Sequence, residues 1–257
     1  MISFVGAGPG AADLITVRGA QRLAAADVVV WASSLVPEAL LGHCRRDVEL
    51  HDSKTMTLEK VVAVYDAHPT AAIVRLHSGD PTVYSAIGEQ IDWCVAAERA
   101  FEIVPGVSAL AAAAAAVGRE LTRPAVAQSV VLTRLAHRTA ASVPDNESLA
   151  AYARVGGTMA VFLSAARPDE LQNELSAIGS QYHRGTPAVI ASRVSWPDEQ
   201  LVHTTVGCLA DELRGLGRTT TVLVLVGEAL APRAVTARSH VYAPDYSHSF
   251  RAGDANG

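Results

Sequence analysis

The sequence predicts an α/β protein built from two α/β domains, the N-terminal sheet mostly parallel and the C-terminal sheet mixed. Three observations carry this. In the N-terminal half, short β-branched runs alternate with helix-like segments, the rhythm of a parallel sheet covered on both faces. Hydrophobic residues make up 49% of the chain but aromatics only 5%. The core is therefore Val, Leu, Ile and Ala, which suits strands buried between helices. Finally, the strand-like run 200–206 follows Trp196-Pro197-Asp198 with no helix before it, so the second sheet is not wholly parallel.

In order, 2–5, 28–31, 73–76 and 101–104 read as strands, each bounded by Gly, Pro or polar residues. Between them 17–26, 58–67 and 84–98 read as helices. Thr16 and Thr57 stand where an N-cap hydroxyl accepts an orphaned backbone N–H. Pro105-Gly106 breaks the last of these strands from the alanine-rich helix 109–117, which Ser108 caps. Beyond Pro124, strands are expected at 129–133, 158–163, 187–191, 200–206 and 221–226, and helices at 147–155, 168–178 and 209–216. A boundary near Gly118–Pro124 gives domains 1–118 and 119–231. Residues 232–257, sprinkled with Arg, Ser and His and without periodicity, read as a loose tail.

The formal net charge is -5 with no long basic run, so the footprint of a nucleic-acid binder is missing. An acidic substrate has to be held by a local cluster of cations. The three cysteines, Cys44, Cys94 and Cys208, lie far apart with no metal-ligand spacing, and no metal site is expected. Reduced thiols fit a cytoplasmic home. No signal peptide is expected, and the longest apolar run, 109–117, falls well short of the ~20 residues that span a bilayer.

Gly6-Ala7-Gly8-Pro9-Gly10-Ala11 follows the first strand and can be read as the dinucleotide fingerprint G-x-G-x-x-A. That fingerprint needs a helix starting inside the loop, with its N-terminus facing a phosphate. Here Asp13-Leu14-Ile15 precede the Thr16 cap, and Val28–Ser33 offers no acidic residue for a ribose. A tight turn without a ligand is the plain alternative. The run Ala111–Ala116 is likewise readable as a packing helix on propensity alone.

Further segments form a pattern with the glycine loop. Gly6-x-Gly8-Pro9-Gly10 with Leu14-Ile15-Thr16, then His77-Ser78-Gly79-Asp80-Pro81, then Val104-Pro105-Gly106-Val107-Ser108 resemble, in order, three signatures of the tetrapyrrole (corrin/porphyrin) methyltransferase superfamily. The resemblance runs from Ile2 to about Gly227. It is narrowest to the branch that methylates precorrin-4 at C-11, through Ser34-Leu35-Val36-Pro37, Gly118-Arg119-Glu120-Leu121-Thr122, Ala127–Arg134, Phe162-Leu163-Ser164 and Ser195–Glu199. One departure is Ala11-Ala12, where the family usually has Asp-Pro; Asp13 stands nearby.

The resemblance implies a methyltransferase of cobalamin biosynthesis, with an active-site cleft between two domains and S-adenosylmethionine folded into it. It implies cofactor contacts from Pro9, Gly79, Asp80, Pro81, Val83, Ser108, Ala109, Leu163, Val194 and Thr221, and a homodimer. Gly8, Gly10 and Asp13 are the implied substrate residues of the glycine loop. Asp80 is a carboxylate suited to the amino group or sulfonium. A substrate with many carboxylates asks for cations, Arg above all, and the candidates are Arg119, Arg123 and Arg134 near the domain boundary, with Lys54 and His77. The segment 52–57 offers further donors as a loop. No catalytic acid or base is identified, and methyl transfer from a sulfonium, whose leaving group is neutral, asks chiefly for positioning. Three rivals remain: a sibling methylating another corrin position or uroporphyrinogen III, a dinucleotide-dependent oxidoreductase, and a tetrapyrrole carrier without activity.

Overall fold

A computed structural model of the chain describes residues 1–135, 143–232 and 239–252. Its contacts divide it into two units. Unit 1 is Met1–Ala116 together with Arg193–Gln200; unit 2 is Val117–Ser192 with the residues from Leu201 onward. The segment Arg193–Gln200, which the sequence reading groups with 119–231, thus clusters with unit 1.

The sheet of unit 1 contains β1 (Ile2–Gly6), β2 (Val28–Trp31), β3 (Glu49–Asp52), β4 (Ile73–His77) and β5 (Phe101–Val104), in the order β3-β2-β4-β1-β5. Every pairing is parallel. Its helices are α1 (Val17–Ala24), α2 (Leu58–Ala67), α3 (Gly88–Ala96) and α4 (Ala109–Val117). Side chains alternate between faces along a strand, and both faces are buried here. Val5, Val29, Val74 and Val104 pack with Leu23 of α1 on one face. Ile2, Phe4, Val28, Val30 and Ile73 pack with Val61 and Tyr65 of α2 and Cys94 of α3 on the other. This double burial explains the unbroken apolar run Val28–Trp31.

The strand order fixes where a ligand site belongs. After β1 the chain passes β4 to reach β2, whereas after β4 it passes β1 to reach β5. Right-handed crossovers then put α1 and α3 on opposite faces, as the two core clusters show. The carboxyl ends of adjacent β1 and β4 flank this switch point, the place where open α/β sheets bind ligands.

Unit 2 has a mixed sheet of β6 (Val130–Arg134), β7 (Thr158–Phe162), β8 (Pro187–Ser192), β9 (Gln200–Thr205) and β10 (Val222–Val226), in the order β6-β7-β10-β8-β9. Strand β6 is parallel to β7, and β10 is antiparallel to both β7 and β8. Helices α5 (Leu149–Ala153), α6 (Pro168–Leu175) and α7 (Leu209–Leu216) complete it. Leu171, Leu175, Leu209 and Leu213 bury against Met159, Val161, Ile190 and Val224. Pro168 begins α6, and Gly217 at φ 65° ends α7 in the left-handed conformation that glycine adopts without strain.

The differences from expectation have local causes. The expected helix 84–98 begins only at Gly88, because Tyr84 and Ala86 hold φ of 53° and 48°. The expected helix 147–155 shortens to α5, whose cap is Ser148, its hydroxyl accepting from the Ala151 N–H. Thr16 caps α1 as expected, whereas Thr57 makes no capping bond at α2. Strand β3 carries no clear strand signal in the sequence, since Glu49-Leu50-His51-Asp52 is a polar, half-exposed edge. In the tail, residues 233–238 and 253–257 lie outside the described residues. Residues 239–252 turn back on themselves, Arg251 Nη2 donating to the carbonyls of Val241, Ala243 and Tyr246.

Candidate functional site

The loops leaving β1, β4 and β5 interlock through glycine. Gly8 N–H donates to Gly79 O at 3.2 Å, and Gly79 N–H returns to Gly8 O at 2.8 Å. A Cβ on Gly6 would stand 2.5 Å from Gly106 Cα, and one on Gly106 would stand 2.2 Å from Gly79 O. Backbone meets backbone at both positions, so only glycine fits. A Cβ on Gly79 would meet nothing nearer than Ala109 N at 3.8 Å. The Gly-Asp-Pro loop therefore lies against the start of α4 with an open approach, and Gly8, Pro9, Gly79, Ser108 and Ala109 gather at the switch point.

Asp80 ties this arrangement together. Its Oδ1 accepts from the N–H and hydroxyl of Thr82, and its Oδ2 accepts the Gly106 N–H at 2.8 Å. Burial raises its pKa, but the bonds from the Thr82 hydroxyl, the Gly106 N–H and the Thr82 N–H outweigh it. The net effect is a carboxyl held below its ordinary value, hence ionised. The sequence reading offered Asp80 to the ligand; the structure uses it first as a latch between two loops. Asp-x-Thr, with the side chain accepting two residues on, is a turn signature that could have foretold this. Downstream, Ser85 Oγ donates to the carbonyls of Asp80 and Val83, bracing a segment in which Tyr84 and Ala86 carry left-handed backbone.

The far side of the glycine loop is closed by the segment 193–200. Trp196 Nε1 donates to Pro9 O at 3.0 Å, and Ala11 N–H donates to Ser195 Oγ at 2.9 Å. Asp13 lies next along the chain in an exposed 3-10 turn, Ala12–Leu14, and Val17 starts α1 only after it. No helix N-terminus therefore enters the glycine loop, which removes the feature the dinucleotide reading needs. Val194 is buried within the same 193–200 segment.

The candidate cations fare differently. Lys54 sits in a 3-10 turn after β3, its Nζ 3.3 Å from Asp52 Oδ2. Asp52 also accepts from the Ser33 hydroxyl at 2.6 Å and the Ser33 N–H, which hold its carboxyl well below the usual range. His77 lies in a different setting. It is buried at the end of β4, and burial, with the Arg75 charge beside it, depresses its pKa to about 3. An imidazole with its pKa lowered this far carries no charge near neutral pH.

Within unit 2 the structure separates residues that the sequence grouped. Arg119 Nε donates to Leu230 O and Arg123 Nη1 to Ala229 O, in the turn that follows β10. Arg134 ends β6 opposite Phe162, where β7 ends and β10 begins. Strand β10 runs between these two ends, so Arg134 does not join Arg119 and Arg123. It shares its end of the sheet with Leu163 and Thr221. Both of these hold left-handed backbone, at φ 53° and 56°, and Leu163 is 68% exposed. A β-branched residue at positive φ is an outlier, and strain of this kind concentrates at functional sites.

Among the described residues no group of three or more His, Cys, Asp or Glu is placed to hold a metal ion, and no helix is long and apolar enough to cross a membrane.

Comparison with known proteins bears on the chemistry. Residues 1–210 match the family model described as Tetrapyrrole (Corrin/Porphyrin) Methylases. A precorrin-4 C(11)-methyltransferase of Rhodococcus erythropolis is 43% identical over 232 residues, 90% of this chain and 92% of that one. Among solved structures, a cobalamin biosynthetic enzyme, cobalt precorrin-4 methyltransferase, superposes with a TM-score of 0.85 at 39% identity, covering 90% of this chain and 96% of its own. A uroporphyrin-III C-methyltransferase from Thermus thermophilus, solved with S-adenosyl homocysteine, gives 0.71 at 26% identity, covering 89% and 92%.

Proposed function

Because the chain belongs to the tetrapyrrole (corrin/porphyrin) methylase family, we propose that it transfers a methyl group from S-adenosylmethionine to C-11 of precorrin-4 in cobalamin biosynthesis. The observation that carries the reading is the interlock of Gly6, Gly79 and Gly106 at the switch point, latched by an ionised Asp80. The assignment to C-11 is supported by 43% identity to a precorrin-4 C(11)-methyltransferase across nine-tenths of the chain.

The residues fit the cofactor. Gly79 leaves its approach open, and Asp80 is the formal charge on the Gly79–Pro81 loop, a match for a cationic ligand. The proposed holders are Pro9, Gly79, Asp80, Pro81, Val83, Ser108, Ala109 and Val194 of unit 1, with Leu163 and Thr221 of unit 2. Bound there, S-adenosylmethionine supplies a methyl on a sulfonium, whose leaving thioether is neutral. The chain's own task is positioning, bringing the reacting atoms to about 3–3.5 Å. Gly8, Gly10 and Asp13 are the proposed substrate residues of the first loop. Lys54 and Arg134 are the proposed partners of substrate carboxylates. The exposed Lys54–Asp52 pair is of the weakly stabilising kind, so exchanging one carboxylate for another costs little.

The reading extends to a homodimer in the cytoplasm; the free thiols of Cys44, Cys94 and Cys208 fit a reducing compartment. Calorimetric titration with S-adenosylhomocysteine is the first test, and one-site binding is expected. The second is incubation with S-adenosylmethionine and either precorrin-4 or cobalt-precorrin-4, with the product read by mass spectrometry for one added methyl and by NMR for its position. Protein that binds no S-adenosylhomocysteine, or methylates neither pigment, sinks the proposal. The preferred pigment decides between the cobalt-free and cobalt-containing route.

A further inference from the structure

We infer that Trp196 and Ser195 are positioning residues that hold the Pro9-Gly10-Ala11 segment in the conformation that meets the tetrapyrrole. The inference rests on the proposed substrate role of that loop.

On its inner side the glycine loop is fixed to Gly79. Its outer side, Pro9 to Ala11, is met by the 193–200 segment through three contacts of different kinds. The indole N–H of Trp196 donates to Pro9 O at 3.0 Å. The Ser195 hydroxyl accepts from Ala11 N–H at 2.9 Å. Between these two bonds the indole lies directly on Gly10, where a Cβ would stand 2.3 Å from Cδ1 and 2.6 Å from Nε1. Gly10 carries no positive φ. It is glycine because Trp196 covers it, not because its backbone demands one.

The covering segment is itself braced at a cost in strain. The guanidinium of Arg193 stacks 3.7 Å above the Trp196 ring and pairs with Asp198 at 2.6 Å. Ser195 N–H donates to Glu199 Oε2 at 2.6 Å. Arg193 and Ser195 both hold left-handed backbone, at φ 47° and 64°. Non-glycine residues persist in that region only where their surroundings over-determine them, and here the outcome of the strain is an indole and a hydroxyl aimed at one tripeptide. A segment needed only to join two strands has no use for this. Held from both sides, the Pro9–Ala11 backbone is set before substrate arrives, so less ordering has to accompany binding.

The test starts from wild-type protein shown to bind S-adenosylhomocysteine, and follows precorrin-4 methylation in Trp196→Phe, Trp196→Ala, Ser195→Ala, Gly10→Ala and the Gly10→Ala/Trp196→Ala double variant. Trp196→Phe keeps a ring over Gly10 and removes the N–H. Losing that one hydrogen bond is expected to raise KM for precorrin-4 about fivefold with kcat little changed. Ser195→Ala is expected to act in the same direction. Gly10→Ala is expected to be the most damaging single change, and the double variant to recover part of that loss, because the added methyl then enters the space of the missing indole. Wild-type KM in both Trp196→Phe and Ser195→Ala, or simple multiplication of the Gly10 and Trp196 effects, overturns the inference alone. Wild-type protein that fails to bind S-adenosylhomocysteine overturns it together with the functional reading.

Discussion

The Gly106 N–H donates to Asp80 Oδ2 at 2.8 Å, joining the loop after β4 to the loop after β5. With Thr82 on the other carboxylate oxygen, Asp80 closes a backbone cradle before it meets any ligand.

Replacing Asp80 by Ala should therefore act on stability as well as affinity. Two backbone N–H groups lose their acceptor, at a cost of about 1–3 kcal/mol in all. S-adenosylhomocysteine affinity is expected to fall at least about tenfold with the loosened cradle. Denaturant melts and calorimetry check the two effects separately. The sign of the pH dependence follows from the lowered carboxyl pKa. The latch is present above the ordinary carboxylate value of 3.8 and is lost as pH falls through the depressed value. Wild-type and variant stabilities should converge in that acid window. An Asp80→Ala protein as stable and as tight-binding as wild type would leave the latch without a role.

Gly106→Ala and Gly42→Ala form a contrasting pair. The new Cβ at 106 would collide with Gly79 O at 2.2 Å, whereas at Gly42 nothing lies within 4 Å. The first is expected to destabilise by about 1–3 kcal/mol or more, since backbone cannot swing aside, and to abolish cofactor binding. The second is expected to be neutral or to stabilise slightly, by about 0.4–1 kcal/mol, through the unfolded chain. Thermal melts of the two proteins side by side decide it, and equal effects would mean that the interlock is looser than the structure makes it.

Much of unit 1 was legible because its information is local. Val28–Trp31 is uninterrupted since both faces of β2 are covered, and Pro105-Gly106 marks the end of β5 by removing a donor and a side chain at once. The glycines could be listed from the sequence, but not the reason for each. Gly6 and Gly106 are required by each other across a hundred positions of chain, and Gly10 by Trp196, through contacts that no spacing rule encodes. The separation of the arginines has a related cause. Arg119, Arg123 and Arg134 are close in sequence, yet β6 carries Arg134 to the end of the sheet where Leu163 and Thr221 lie. The burial of His77, whose ring lies 6.2 Å from that of Phe4, is likewise a long-range fact that the residues around it do not encode.

His77 gives a pH signature of its own. Its imidazole Nε2 is buried with no hydrogen-bond partner among the described residues, and burial holds the folded pKa at about 3 against an ordinary value of 6.5. Between these values the unfolded chain binds a proton that the folded protein refuses. Stability is thus full above about 6.5 and falls with decreasing pH, at up to about 1.4 kcal/mol per unit from this group. Replacing His77 by Asn, which does not titrate, is expected to flatten that part of the stability profile measured by urea melts from pH 7 to pH 4. An NMR titration in which the His77 ring protonates near pH 6.5 would contradict the burial argument.

The separation within unit 2 predicts a division of labour among its arginines. Arg119 and Arg123 direct guanidinium nitrogens at the Leu230 and Ala229 carbonyls, holding the turn after β10. Arg134 stands at the opposite end of the sheet, beside the strained Leu163 and Thr221. Arg134→Ala is expected to raise KM for the tetrapyrrole about tenfold or more, because a charge-assisted contact to a carboxylate contributes about 1.5–3 kcal/mol. Arg134→Lys, which keeps the charge but not the fork, should recover part of it. Arg119→Ala and Arg123→Ala should leave KM near wild type and lower the melting temperature instead, since a backbone carbonyl loses its donor in each. Steady-state kinetics with melting curves on the same preparations separate the two patterns. A KM effect from Arg119 or Arg123 equal to that of Arg134 would mean that the substrate reaches both ends of this sheet.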